Sequence, residues 1–324
     1  MGVYTSIPEL CLEDQREIIE GVCAVVAACP GEHVGPLLHR IMEPVVQALN
    51  DSLNENSNDQ ALSMKNTAMN LDRLAHIFKS LHIDMVIQPH PLNAAVSALW
   101  PLLQRTASVF QTEESLMEKL CRLWKSEIRS CGHNFPVLVP LCQLLTELYN
   151  TVQYSCFLYC ANVALDEVSR GPQMSQNAAL FSHMLDVFSS ATFRRLRDAN
   201  AYVLPTISFS ISHYYGLLHA NFLCFGSVRD YPDIAEDFFH LLKRYVQILP
   251  GVILQSPVLA ASFQCASHGV RVSHREASEA VFTYLLTLIE SAISNPTTAS
   301  AVDAILRQHG QVRLPSSKPT YARL

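Results

Sequence analysis

The sequence predicts an all-α protein, a HEAT-repeat (armadillo-type) α-solenoid of stacked antiparallel helix hairpins. The 324 residues include 49% hydrophobic residues and only 11 glycines, which disfavours a loop-rich or β-rich fold. Apolar residues recur at helical spacing along most of the chain, and no strand alternation interrupts them. Paired helices begin about 40 to 50 residues apart, the period of HEAT repeats. A compact helical bundle is the alternative, disfavoured by so long a train of short-looped helices.

The first predicted hairpin joins two helices of different length. Glu13 and Asp14 open the first helix, where carboxylates favour the positive end of the helix dipole, and Pro30 ends it. Its antiparallel mate covers residues 33–54, with apolar residues along one side. The polar run at residues 54–60 is predicted to be a surface loop.

The same pattern continues towards residue 293. The predicted helices are ALSMKNTAMNLDRLAHIFKSL, PLNAAVSALWPLLQRTASVF, a basic helix beginning near Glu113, FPVLVPLCQLLTELYNTVQ, SCFLYCANVALDEVS, QNAALFSHMLDVFSSATFRRL, DIAEDFFHLLKRYVQIL, VILQSPVLAASFQCASHG and REASEAVFTYLLTLIESAI. The paired units begin near Asp14, Ala61, Glu113, Ser155, Asp233 and Ser273. Prolines early in or just before helices fit hairpins with bent second helices and would be costly in a coiled coil. These are Pro44, Pro91, Pro101, Pro136, Pro140 and Pro257.

Residues 202–228 break the repeat period. No Asp, Glu, Lys or Arg occurs between Asp198 and Arg229, and removing the segment restores a normal repeat length. We predict an irregular insertion here, either a lineage-specific loop or translated non-coding sequence. Its length could span a bilayer, but its proline, glycine, asparagine and histidines disfavour a membrane span. The predicted organisation is therefore a solenoid over residues 10–293 with this insertion, followed by a poorly ordered tail at residues 294–324.

Charge and cysteine usage restrict the function classes. A net charge of −6 disfavours general nucleic-acid affinity and suits basic or mixed-charge protein partners. The ten cysteines lie singly in apolar runs, which predicts reduced core thiols of an intracellular protein. Cys131 with His133, and Cys156 with Cys160, lack a second ligand set, so we predict no metal. With no phosphate loop, GxSxG elbow or HExxH motif, we predict neither a cofactor nor an enzyme.

The helix that begins near Glu113 has the most distinctive surface. At about 100° per residue, four cations fall within roughly 120° of one another. They are Lys119, Arg122, Lys125 and Arg129. Most of the apolar residues fall on the other side, namely Leu116, Leu120, Leu123, Trp124 and Ile128. Glu118 lies inside the row and partly cancels its charge. This basic stripe could hold an anionic partner, and the alternative is the ordinary solvated face of an amphipathic helix.

Several sequence words occur in a characteristic order over most of residues 10–290. They include LDRLAHIFKSL, EKLCRLWKSEIRSCG, FPVLVPLCQLLTELYNTVQYSCFLYCANVALDEV and, after the insertion, DIAEDFFHLLKRY. Together they resemble the middle of the transportin-SR and importin-13 group of nuclear import receptors, within the importin-β superfamily. The resemblance implies a HEAT-repeat receptor that shuttles between cytoplasm and nucleus, contacts nuclear pore proteins and releases cargo to Ran bound to GTP. It also implies arginine-serine-rich splicing factors as cargo, with no direct nucleic-acid or membrane partner.

The resemblance also implies where cargo binds. In that family an arginine-rich helix binds phosphorylated arginine-serine segments, and the match places it on Lys119, Arg122, Lys125 and Arg129. The two lysines stand where the family tends to have arginine, and a lysine cannot make the planar bidentate contact with phosphate. A second predicted contact, with basic cargo arms, is the acidic group Asp233, Glu236 and Asp237 beside Asp230. Carboxylates are also favoured there simply because a helix begins.

The resemblance covers only part of the family's length. Its N-terminal repeats, which contain much of the Ran contact, have no counterpart before Met1, and the match fades after Ile293. We therefore expect an incomplete receptor that lacks the main Ran site. A HEAT-type scaffold, such as a phosphatase regulatory subunit, is the alternative function without transport activity.

Overall fold

The computed structural model describes residues 12–54, 60–83, 90–197, 226–269 and 273–309. Within these ranges the chain forms thirteen α-helices and no strand. The helices are α1 Leu12–Ala27, α2 Gly31–Asn54, α3 Gln60–Ser80, α4 Pro91–Val109, α5 Glu114–Cys131, α6 Leu138–Val152, α7 Ser155–Ser169, α8 Met174–Leu196, α9 Pro232–Ile248, α10 Pro250–Gln255, α11 Val258–Gly269, α12 Arg275–Ser294 and α13 Pro296–His309. The predicted all-α fold is confirmed.

The chain divides into two compact units, and the first ends at Thr192. In this unit, alternate helices lie in two layers. One layer packs α1 on α3, α3 on α5 and α5 on α7, and the other packs α2 on α4. Sequential contacts of α2 with α3, α4 with α5 and α6 with α7 join the layers. This alternation is the geometry of stacked helix hairpins, as the repeat period predicts.

Large aromatic side chains fill the space between the helices of the first unit. The rings of Tyr149 and Phe188 meet edge to face with their centroids 5.2 Å apart. The Tyr149 hydroxyl lies 2.6 Å from the Thr192 hydroxyl, so its polar end is satisfied inside the core. Trp100 of α4 lies 6.3 Å from the fully buried Trp124 of α5. These contacts fix α5, the predicted basic helix, in the middle of the stack.

The second unit begins at Phe193 and has its own core. Here α9 packs on α12, while α11 and α13 also contact α12. The ring of Phe239 lies 5.5 Å from that of Tyr284, whose hydroxyl is 2.7 Å from the Ser262 hydroxyl. The apolar residues that recur at helical spacing along α9 are buried, namely Phe238, Phe239, Leu242 and Tyr245.

The prolines occupy two kinds of position. Pro91 lies in the first turn of α4, where the missing N–H costs nothing because the first amides of a helix have no internal acceptor. Pro44 and Pro101 instead lie well inside α2 and α4, so the prediction that they sit early in helices is wrong. Neither can donate the usual hydrogen bond to the preceding turn.

The predicted insertion and tail are described only in part. Residues 202–225 lie outside the described residues, and a 3₁₀ turn at Gly226–Arg229 follows them. In the range predicted as a tail, α13 forms a helix with Val302 and Ile305 buried, and residues 310–324 are not described. Across the described helices, none combines the length and hydropathy needed to cross a membrane.

Candidate anion-binding groove

Helix α5 carries its cations on the face opposite its core contacts. Its buried residues are Leu116, Met117, Leu120, Cys121, Leu123, Trp124, Glu127, Ile128 and Cys131. The apolar face predicted from the spacing is therefore confirmed. Arg122 and Arg129 are exposed, while Lys119 and Lys125 are half-buried. The helix ends at Gly132, whose φ of 59° lies in the region that favours glycine.

Three of the four stripe cations line one groove. Arg122, Lys125 and Arg129 border a cavity of about 970 Å³ on the layer formed by α1, α3 and α5. Five cationic side chains and two histidines line the groove, against a single carboxylate. These are Arg16, Lys79, Arg122, Lys125 and Arg129, with His76, His82 and Asp72. Because the whole chain is acidic, this is a local concentration of positive charge.

Lys119 has a different environment from the other three. Its ammonium pairs with the carboxylate of Asp72 on α3 and does not line the groove. The pair ties α5 to α3 and neutralises the one carboxylate at the groove. The Ser130 hydroxyl ties the same two helices by donating to the carbonyl of Phe78 at 2.6 Å. Lys119 therefore positions the groove wall rather than offering a free cation.

Arg122 and Lys125 are held by weak contacts. Arg122 pairs with Glu118 one turn earlier, and both side chains are more than half exposed. An exposed pair of this kind contributes only about 0–1 kcal/mol, so an anionic ligand can displace Glu118. The Lys125 ammonium lies 4.8 Å from the ring centroid of Tyr159, a cation–π contact with the neighbouring helix α7.

The sequence analysis missed Arg16 of α1 and His76 and Lys79 of α3. Burial lowers the pKa of His76, Glu20 opposes this effect, and the nearby charges of Lys79 and Arg16 add to it. The His76 Nε2 lies 3.0 Å from a Glu20 carboxylate oxygen, close enough for an ion pair if the ring is protonated. The repeat period could have indicated these residues. Alternate helices of stacked hairpins share a layer, so their polar faces lie side by side.

Beneath the groove, α5 buries an acidic residue and a thiol. Glu127 is 1% exposed, and one of its carboxylate oxygens has no hydrogen-bond partner among the described residues. Burial raises the pKa of Glu127 well above its ordinary value, because an apolar surrounding favours the neutral carboxyl over the carboxylate. Burial also raises the pKa of the Cys131 thiol to about 12. Neither group lines the groove.

The cysteines of the described residues are free thiols. All but Cys29 are buried, and Cys29 is half-buried, so the prediction of a core position is wrong for that residue. Burial, followed by the neighbouring thiols Cys156 and Cys160, raises the pKa of Cys121. No three metal-ligating side chains converge anywhere in the described ranges. The buried thiols thus serve as small packing groups of the core.

The predicted acidic contact lies in the second unit. Asp233 is exposed in the first turn of α9, and Glu236 and Asp237 follow it half-buried. A carboxylate in the first turn favours the helix dipole, which explains Asp233 without a ligand. The contact with basic cargo remains a prediction.

The chain is similar to known transport receptors, and the matched regions include the helix that carries the basic stripe. Residues 90–196 match the family model described as the Transportin-3/Importin-13 fourth TPR domain, a stretch that contains α4 to α8 and hence the basic stripe. Transportin MOS14 of Arabidopsis thaliana is 21% identical over 285 residues, covering 86% of this chain and 25% of the relative. Importin-13 of Gallus gallus is 21% identical over 266 residues, covering 76% of this chain and 24% of the relative.

A solved structure of importin-13 in its cytosolic state has the same fold. It superposes with a TM-score of 0.67 at 17% identity, covering 92% of this chain and 31% of that one. The chain therefore spans about a quarter of the length of these curated relatives. The family model matches residues 90–196, and over most of its length the chain is similar to transportin MOS14 and importin-13 and has the fold of importin-13, spanning a part of these proteins.

Proposed function

We propose that the chain is a cargo-binding part of a nuclear transport receptor, and that the groove on α1, α3 and α5 binds an anionic segment of a protein cargo. The observation that carries the proposal is the gathering of five cations around one groove in a chain of net charge −6. Binding of this kind needs no catalysis, cofactor or metal.

Phosphorylated arginine-serine segments are the cargo class we propose. A phosphoserine carries about −1.5 to −2 charges at pH 7 and has three acceptor oxygens. Arg122 and Arg129 are exposed and can offer paired N–H donors to such oxygens. Lys125 adds a point charge beside them.

The transport cycle is a proposal for the whole receptor. Similarity to transportin MOS14 and importin-13 supports import of cargo into the nucleus, release by Ran-GTP, contact with nuclear pore proteins and shuttling between nucleus and cytoplasm. The acidic group Asp233, Glu236 and Asp237 is proposed as a contact for basic cargo arms.

Charge reversal in the stripe tests the groove. The double variant Arg122→Glu with Arg129→Glu should bind a phosphorylated arginine-serine peptide at least about tenfold more weakly than the unchanged chain, since each charged hydrogen bond is worth about 1.5–3 kcal/mol. Fluorescence anisotropy at two salt concentrations gives the affinity and its electrostatic share.

A matched control changes net charge equally away from the groove. Arg40→Glu with Lys65→Glu alters two exposed cations that do not line it, and should leave the affinity unchanged. Equal affinity of both double variants would remove the groove from the account. Failure of the unchanged chain to distinguish the phosphorylated from the unphosphorylated peptide would favour a HEAT-type scaffold.

A further inference from the structure

The groove has a second group of cations that the stripe does not include. Arg16 lies on α1 and Lys79 on α3, and both are exposed. Their charges act on the same half-buried imidazole ring, because each helps to lower the pKa of His76. No ion pair with a carboxylate engages either cation within the described ranges. Arg16 and Lys79 are therefore available to a ligand.

We propose that Arg16 and Lys79, with His76 beside them, form a second phosphate subsite on the α1–α3 side of the groove, so that one peptide segment is held through two phosphates. This inference rests on the proposed function and names the ligand of that site more closely: a doubly phosphorylated peptide.

Charge matching favours two phosphates over one. Five cations line the groove; Lys119 neutralises its one carboxylate and Glu118 pairs with Arg122, which leaves four lining cations outside these pairs. A single phosphate of about −2 matches only about half of that charge, whereas two phosphates supply about −4. The volume agrees, since about 970 Å³ lies at the upper end of the 300–1,000 Å³ typical of small-ligand sites.

Geometry sets the spacing of the two phosphates. The axes of neighbouring packed helices lie about 8–10 Å apart. Because α5 packs on α3 and α3 packs on α1, the axis of α3 is one such distance from that of α5, and the axis of α1 is about two. An extended chain covers about 3.3 Å per residue. Phosphates about three to six residues apart therefore fit the two subsites, and phosphates on adjacent residues do not.

A protein segment fits the groove better than RNA. A polynucleotide brings a continuous row of phosphates, which would run beyond the groove onto a chain of net charge −6. A peptide confines its negative charge to the phosphorylated residues and can place those within the cavity.

The test compares peptides of one sequence with no phosphate, one phosphate, two phosphates on adjacent residues and two phosphates four residues apart. The unchanged chain should bind the last at least about tenfold more tightly than the singly phosphorylated peptide. Arg16→Glu with Lys79→Glu should abolish that advantage while keeping single-phosphate binding within about threefold. Arg122→Glu with Arg129→Glu should weaken the binding of the singly and the doubly phosphorylated peptide. Arg40→Glu with Lys65→Glu should change the binding of neither peptide.

Each other outcome has a defined meaning. An unchanged two-phosphate advantage in the Arg16 and Lys79 variant, or in Arg16→Gln with Lys79→Gln if the first variant unfolds, would overturn the second subsite and leave the proposed function standing. Equally tight binding of inorganic phosphate, or tighter binding of a single-stranded RNA of twelve nucleotides, would also overturn it. If the unchanged chain binds no phosphopeptide, the proposed function itself fails.

Discussion

Replacing Trp124 by alanine is expected to lower the free energy of unfolding of the first unit by about 3–5 kcal/mol, the range for deleting a large buried aromatic side chain. Trp124 is fully buried and is the largest such side chain of the core. It lies on α5, which packs against α3, α4 and α7, so the cavity would open at the centre of the stack. The groove cations on the same helix would lose their fixed position, and peptide affinity should fall with stability.

Urea denaturation followed by circular dichroism measures this effect. Val139→Ala is the matched control, because Val139 on α6 is 45% exposed and its truncation should cost less than about 0.5 kcal/mol. A loss below about 1 kcal/mol for Trp124→Ala would contradict the packing described for α5.

Replacing Glu127 by glutamine is expected to remove a pH-dependent loss of stability. Burial raises the folded-state pKa of Glu127 well above its ordinary value of 4.5. Below pH 4.5 both the folded and the unfolded chain hold the proton, so this residue adds no pH dependence. Above pH 4.5 the unfolded chain releases the proton while the folded chain keeps it, and stability falls as pH rises towards the folded-state pKa. Glutamine has the same shape and no charge to titrate.

The measurement is the urea midpoint of both proteins between pH 4 and pH 8. The urea midpoint of Glu127→Gln minus that of the unchanged chain should be smallest near pH 4 and should grow as pH rises above 4.5. Glu147→Gln, at an exposed position on α6, supplies the control for loss of a carboxylate as such. A Glu127→Gln difference that stays constant across this range would show that the carboxyl is not held neutral by burial.

Local sequence patterns were sufficient for the helices and for the orientation of α5. Burial of Leu120, Leu123 and Trp124 opposite the cations follows from 3.6-residue periodicity alone, because both faces belong to one helix. The stacking of hairpins also followed, since the repeat period reports it without any knowledge of contacts.

Contacts between helices distant in the sequence could not be predicted. Lys119 and Asp72 are 47 residues apart, and their pairing depends on how α5 is rotated and shifted against α3. The same packing brings Arg16 and Lys79 to the groove. A helix pattern gives the direction of each face but not the register between neighbouring helices, so the stripe was predicted as four equivalent cations on one helix.

Photo-cross-linking tests the central claim, that the groove on α1, α3 and α5 is where anionic cargo binds. A phosphorylated arginine-serine peptide carrying a photoreactive group is bound, irradiated and mapped by mass spectrometry. We expect phosphate-dependent cross-links at the groove lining, around Arg16, at residues 72–83 and at residues 122–130, and their loss in the Arg122→Glu, Arg129→Glu variant. Cross-links that fall mainly on α9 to α13, or that form equally with the unphosphorylated peptide, would contradict it.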